Sequence, residues 1–118
     1  MSKRFSVEFY QKENGEIPMA EFLSKQTGPM KAKIAFTIDL LEEMGNGLRE
    51  PFSKSLEDGI LELRIKAGSD ISRVFYFFMV GNRAILTHGF IKKTQKTPRK
   101  EIDKAKKYRE DFLRRMQQ

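Results

Sequence analysis

Five cations are spaced so that a folded sheet would collect them. Arg64 and Lys66 alternate with Leu63 and Ile65, Arg73 opens an apolar run, and Lys92 and Lys93 close another. If these runs are consecutive antiparallel strands, the end of the first lies beside the start of the second, and the end of the third lies one strand further on. Arg64, Lys66, Arg73, Lys92 and Lys93 then gather at one end of the sheet. Arginine offers a planar fork that matches phosphate oxygens. A ring of such groups can stabilise the charge of a pentacoordinate phosphorane. A lysine crowded by like charges has its pKa pulled below the usual value of about 10.4, toward a group that can accept a proton, so Lys66, Lys92 and Lys93 are candidate bases. The plainer reading of the same residues is a solvated sheet rim, with Arg64 paired to Glu62 or Asp58.

Other residues near this end carry two readings as well. Tyr76 and Phe90 could stack on nucleobases, or fill a core that must absorb ten phenylalanines in 118 residues. His88, inside the run Leu86-Thr87-His88-Gly89-Phe90, titrates near neutrality and could transfer a proton, or be a hydrogen-bonded histidine in a packed sheet. Lys96 adds a further cation just beyond the last run.

The elements that must hold these residues follow from periodicity. Phe5, Val7 and Phe9 alternate with polar neighbours and predict a strand. Asn14-Gly15 is a turn, and Ile17-Pro18 opens a short helix with Met19, Phe22 and Leu23 on one face. A longer helix from about Met30 to Met44 carries Ile34, Ile38 and Leu41 at helical spacing, with Phe36, Leu40 and Met44 beside them. Gly45-Asn46-Gly47 stops it. The two helices are expected to form an antiparallel hairpin. Three strands come next: Ile60 to Lys66; Arg73 to Val80, which is apolar on both faces and therefore central; and, after a Gly81-Asn82 hairpin turn, Arg83 to Ile91. Thr97 as N-cap and Pro98 at the first position begin a terminal helix, with Ile102, Ala105, Tyr108, Phe112 and Met116 as its stripe. The segment Lys92-Lys93-Thr94-Gln95-Lys96 reads as an exposed loop. The prediction is a single α+β domain over residues 1–118: a mainly antiparallel four-stranded sheet with an N-terminal helical hairpin and a C-terminal helix, in the order βααβββα.

Composition narrows the function classes. Cysteine is absent, which excludes disulfides, thiolate catalysis and Cys-ligated zinc. One histidine cannot build a multi-His metal site, although carboxylates could still bind a hard cation. No apolar run approaches the roughly 20 residues of a membrane span, and the first residues lack the apolar core of a signal peptide, so a cytoplasmic protein with no membrane partner is expected. The net charge of +7 is uneven: residues 1–90 hold 12 Lys/Arg against 12 Asp/Glu, and residues 91–118 hold 11 against 4. Such an excess at one end is the footprint of a polyanion-binding surface, or of a solvated basic helix.

Three segments in order also resemble a known family. Gly59-Ile60-Leu61-Glu62-Leu63-Arg64, then Ser72-Arg73-Val74-Phe75-Tyr76, then His88-Gly89-Phe90-Ile91-Lys92-Lys93-Thr94-Gln95-Lys96-Thr97-Pro98 resemble the pattern of phage-derived HigB-like toxins of the RelE/ParE superfamily. The likeness covers about residues 3–113. It implies a RelE-like fold and the toxin of a type II toxin–antitoxin system, a ribosome-dependent mRNA endoribonuclease that inhibits translation. Cleavage would proceed by attack of the 2′-hydroxyl on the adjacent phosphate, with no metal, no cofactor and no small-molecule ligand. By resemblance Arg64 and Arg73 match the family's phosphate-binding and charge-stabilising arginines, and Lys92 and Lys93 its basic residues of the last strand; with catalysis there, Lys66, Tyr76, His88, Phe90 and Lys96 are the residues expected to contact RNA. The implied partners are the ribosome with its mRNA and a HigA-like helix-turn-helix antitoxin. Thr97-Pro98 stand where RelE itself carries a tyrosine. Two alternatives share these features: a ParE-like inhibitor of DNA gyrase, and a nucleic-acid-binding module without toxicity.

Overall fold

A computed structural model describes residues 3–93 and 96–116. Thr94 and Gln95, the middle of the expected exposed loop, lie outside the described residues. The elements are β1 (Ser6–Phe9), α1 (Pro18–Ser24), α2 (Gly28–Met44), β2 (Ser53–Glu57), β3 (Ile60–Ala67), β4 (Asp70–Met79), β5 (Arg83–Ile91) and α3 (Arg99–Met116). One five-stranded sheet runs in the order β1-β5-β4-β3-β2, with β1 parallel to β5 and the other pairings antiparallel.

The sheet is therefore mixed and five-stranded, where the sequence predicts four mainly antiparallel strands. The added strand, β2, is short and polar (Ser-Lys-Ser-Leu-Glu), so it has almost no apolar alternation to reveal it. Its turn into β3 is Asp58-Gly59, both residues at positive φ, which is the two-residue hairpin signal that tightly joined antiparallel strands require. The helix arrangement differs too. α1 packs against β5 and α2 against β3, so each docks on the sheet rather than closing mainly on the other. With only seven residues, α1 can bury Met19 and Phe22 and little else. The β4–β5 connection takes Val80 as well as Gly81 and Asn82. Helix α3 begins at Arg99, one residue later than the Thr97 cap predicts.

Alternation along the strands splits the apolar residues between two faces. Leu63, Ile65, Val74, Tyr76, Ala84 and Leu86 face α1 and α2, where they meet Met19, Phe22, Met30, Ile34 and Leu41. Ile60, Phe75, Phe77 and Ile85 face α3, where they meet Ala105 with Ile102, Tyr108 and Phe112. Full burial of each large apolar side chain stabilises the fold by about 1.5–3 kcal/mol, so β4, lined on both faces, anchors the domain. Phe36 and Met44 of α2 and Met116 of α3 stay exposed.

Gly89 lets α1 approach β5 closely. A Cβ there would lie 2.6 Å from Cδ2 of Phe22, whose ring is buried. Gly89→Ala is expected to destabilise the domain by about 1–3 kcal/mol through overpacking, read as a lowered denaturation midpoint in urea. An unchanged midpoint would mean that Phe22 is not clamped against β5.

Candidate functional site

The register of three strands assembles a basic site on the α3 side of the sheet. Arg64 on β3 lies directly opposite Arg73 on β4, Glu62 lies opposite Phe75, and Lys54 on β2 lies opposite Glu62. Arg73 is also paired with Phe90 on β5, and the Lys92 amide just past β5 donates to the Ile71 carbonyl at 2.7 Å. That bond carries the chain back across the start of β4. Helix α3 covers the apolar part of this face and leaves Arg64 and Lys92 half-buried at its margin.

Two arginines directly opposite on one face repel each other. Glu62 offsets that repulsion. Its carboxylate is 1% exposed and gathers three partners: Arg64 Nε donates to Oε2 at 3.2 Å, Thr97 Oγ1 donates to Oε1 at 2.9 Å, and Arg73 Nε forms an ion pair with Oε2 at 3.5 Å. Arg64 reaches outward as well, donating from Nη1 to Glu50 at 3.3 Å. Arg73 is 7% exposed; its Nη1 donates to the Ser72 carbonyl, but its buried Nε has no hydrogen-bond partner. Buried donors are nearly always satisfied; this one is engaged only by the ion pair with Glu62, without hydrogen-bond geometry.

Burial pulls the pKa of Arg73 down, with Glu62 opposing and Arg64 adding to the shift, yet a guanidinium stays charged throughout the accessible range. Lys92 is the more consequential group. Burial lowers its pKa, Arg73, Arg64 and Lys54 lower it further, and Glu62 alone resists. A lysine at this spot is therefore nearer to giving up its proton than an ordinary surface lysine.

Three of the five cations expected at one sheet end thus come together: Arg64, Arg73 and Lys92. Lys66 is exposed one step further along β3, opposite Ile71. Lys93 turns to the other side of the sheet, where it lines a groove of about 480 Å³ with Phe22, Lys25, Thr27, Met30 and Phe90. Lys96 is exposed in the approach to α3. Phe90 stacks on Phe75 with ring centroids 5.7 Å apart and remains partly exposed. Tyr76 is fully buried on the opposite face, its hydroxyl 2.6 Å from Ser53 Oγ, and so presents no ring to a base. The sequence missed Lys54, Glu62 and Thr97. Lys54 is hidden because β2 is hidden; Glu62 and Thr97 stand in quoted motifs, but only the folded chain makes them partners.

His88 is packed rather than presented. It is 4% exposed, stacks on Phe75 at 5.0 Å, meets Tyr108 edge-on, and sets Nε2 3.1 Å from Glu101 of α3. Burial pushes its pKa down to about 4, outweighing the pull of Glu101, so at neutral pH the ring is uncharged and ties α3 to β5. The basic tail is likewise engaged within the chain: Arg99 and Lys106 both bind Glu57, Lys106 also binds Asp58, and Arg114 and Arg115 bind Asp111. Among the described residues no helix is long and apolar enough to cross a membrane.

A two-layered helical wrapping around a sheet with this basic cluster at its end defines the class, and comparison by sequence gives the family. Residues 21–110 match the family described as Phage derived protein Gp49-like (DUF891), and the chain belongs to that family. The matched span runs from α1 into α3 and contains Lys54, Glu62, Arg64, Arg73, Lys92 and Thr97. No curated protein matches the chain.

Because folding favours the neutral form of His88, its contribution to stability is complete above the ordinary value of 6.5 and is lost as pH falls from there toward about 4. Glu57, held down to about 2 by Arg99 and Lys106, acts in a separate window: its contribution is present above 4.5 and is lost only as pH falls toward 2. The melting temperature should therefore fall between pH 6.5 and 4, and a folded His88→Gln variant should flatten that limb without touching the lower one. An equally steep limb in the variant would remove His88 from the account.

Proposed function

We propose that this chain is the toxin of a type II toxin–antitoxin pair and that it cleaves messenger RNA on the ribosome, using cations in place of a metal. The reading is supported by membership of a phage-derived family that is associated with RelE-like and toxin-like proteins. The observation that carries it is the cluster of Lys54, Arg64, Arg73 and Lys92 around buried Glu62, four cations gathered on one carboxylate. A phosphodiester brings a second anion with several acceptor oxygens, which the excess of cations over the one carboxylate favours.

In this reading Arg73 and Arg64 hold the non-bridging oxygens of one phosphate. Lys92, with its lowered pKa, takes the proton of the neighbouring 2′-hydroxyl. The 2′-oxygen then bonds to phosphorus, the bond from phosphorus to the 5′-oxygen breaks, and the leaving oxygen takes a proton from water. The products are a 2′,3′-cyclic phosphate and a 5′-hydroxyl. Lys54 and Lys66 extend the positive field along the strand, and Phe90 offers a partly exposed ring beside Arg73. Glu62 and Thr97 are positioning residues: the carboxylate orients both guanidinium groups, and the threonine ties the Lys-bearing connection to it. A helix-turn-helix antitoxin of the HigA kind is the implied partner, neutralising the toxin by covering or displacing these cations.

Arg73→Lys keeps a charge beside Glu62 but removes the planar fork. It should lower cleavage on programmed ribosomes by about a hundredfold, the scale of losing one transition-state donor, while circular dichroism shows an intact fold. Lys92→Arg keeps the charge but cannot act as base near neutrality, so the alkaline rise of kcat/KM assigned to Lys92 should vanish. Folded variants that still arrest growth and cut transcripts at the unaltered rate would place the active site elsewhere. Growth arrest by the original chain without any cut transcript would favour the gyrase-directed alternative.

A further inference from the structure

We propose that a second pocket, on the open edge of β3, binds one nucleobase of the RNA strand next to the phosphate held by Arg64 and Arg73. β2 begins at Ser53 and pairs with β3 only as far as Leu63, so the last residues of β3 have no strand on that side. The space is closed instead by the loop preceding β2 and by α2. It is a pocket of about 210 Å³ lined by Lys33, Phe36, Thr37, Pro51, Phe52 and the edge residues Arg64 to Lys66. That volume is below the range of sites for drug-sized ligands and suits a single planar fragment.

Two features point to a nucleotide. Phe36 and Phe52 are 55% and 38% exposed, whereas the rings of Phe75 and Phe77 are buried in the core. Exposed rings in one pocket are the platform on which bases stack irrespective of sequence. Charge is the second: Lys33, Arg64 and Lys66 stand around the rings, so the pocket complements a base that arrives with phosphates on either side.

Arg64 makes the pocket continuous with the basic cluster. Its Nε binds Glu62 inside the cluster, and its Nη1 binds Glu50, the residue before Pro51. One guanidinium thus spans from the site to the wall of the pocket, so a phosphate held by Arg64 lies at the junction of the two. Glu50 is the counterweight; its exposed carboxylate occupies a donor that RNA would claim.

The inference rests on the phosphate-binding reading of Arg64 and Arg73, and the test keeps the two apart. The probe is a trinucleotide with 2′-O-methyl riboses, which cannot be cleaved, beside the same trinucleotide with one abasic position. Both are titrated to millimolar concentration against the full chain, with aromatic proton shifts and intermolecular NOEs read by NMR. Phe52 and Phe36 ring protons should shift and show NOEs to base protons. Phe52→Ala should weaken binding of the intact probe by about tenfold, the scale of one stacked base, and leave the abasic probe unaffected. Glu50→Gln should tighten both probes. Arg73→Lys should weaken both equally. If Arg73→Lys weakens binding while neither ring shifts and Phe52→Ala changes nothing, the base pocket is wrong and the phosphate site stands. If the rings respond and Arg73→Lys has no effect, the phosphate site is misplaced and the edge pocket binds RNA without it. Absence of any shift in the rings at millimolar probe overturns the proposal.

Discussion

The site depends on one carboxylate in the wrong place for a carboxylate. Glu62 sits on a central region of the sheet with 1% of its surface exposed, and removing a charge from water that fully costs several kcal/mol. Arg64, Arg73 and Thr97 together offset that cost. In turn, the two arginines could not lie opposite each other on one sheet face without it. That arrangement also sets how Arg64 and Arg73 lie, Arg64 reaching on toward Glu50 and Arg73 buried against the carboxylate.

The same carboxylate meets the segment that leads into α3. That segment leaves the sheet at the Lys92 amide, bound to β4, and is caught again where Thr97 meets Glu62. Helix α3 then runs over the apolar half of the face, held by Ala105, Tyr108 and Phe112 and by the contact of His88 with Glu101. A neutral, buried histidine at that contact lets the helix seat without stranding a charge. Its role is therefore in the packing that delimits the basic site and separates it from the core.

Much of the fold could be read from pattern. β3, β4, β5 and α2 announce themselves by alternation or helical spacing, because their apolar residues must face a core. β2 could not be read that way: only Leu56 in Ser-Lys-Ser-Leu-Glu is strongly apolar, and the Asp58-Gly59 turn was the sole local sign of it. With β2 hidden, Lys54 was hidden too. The cations Arg64, Arg73 and Lys92 were found because antiparallel geometry brings strand ends together whatever the side chains are. Lys93 was misplaced by the same reasoning, since successive residues leaving a strand point to opposite faces. Tyr76 shows the same parity: next to Phe75 in sequence, it lies on the other side of the sheet. Part of the charge excess of residues 91–118 is engaged within the chain, because α3 pairs Arg99, Lys106, Arg114 and Arg115 with carboxylates of its own protein.

The pairing of Glu62 with two arginines has a consequence for how such a sheet can change over generations. Losing Glu62 alone strands the buried guanidinium of Arg73, and losing the arginines strands a buried carboxylate, so piecemeal replacement is penalised. Replacing all three together by apolar residues of similar size is a different matter, because buried ionic groups exchanged jointly in this way often leave a protein as stable or more so. Folding by itself therefore gives no reason to retain the trio. A well-folded but chemically silent relative lies one concerted replacement away, and only selection on what the cations do can hold the lineage back from it.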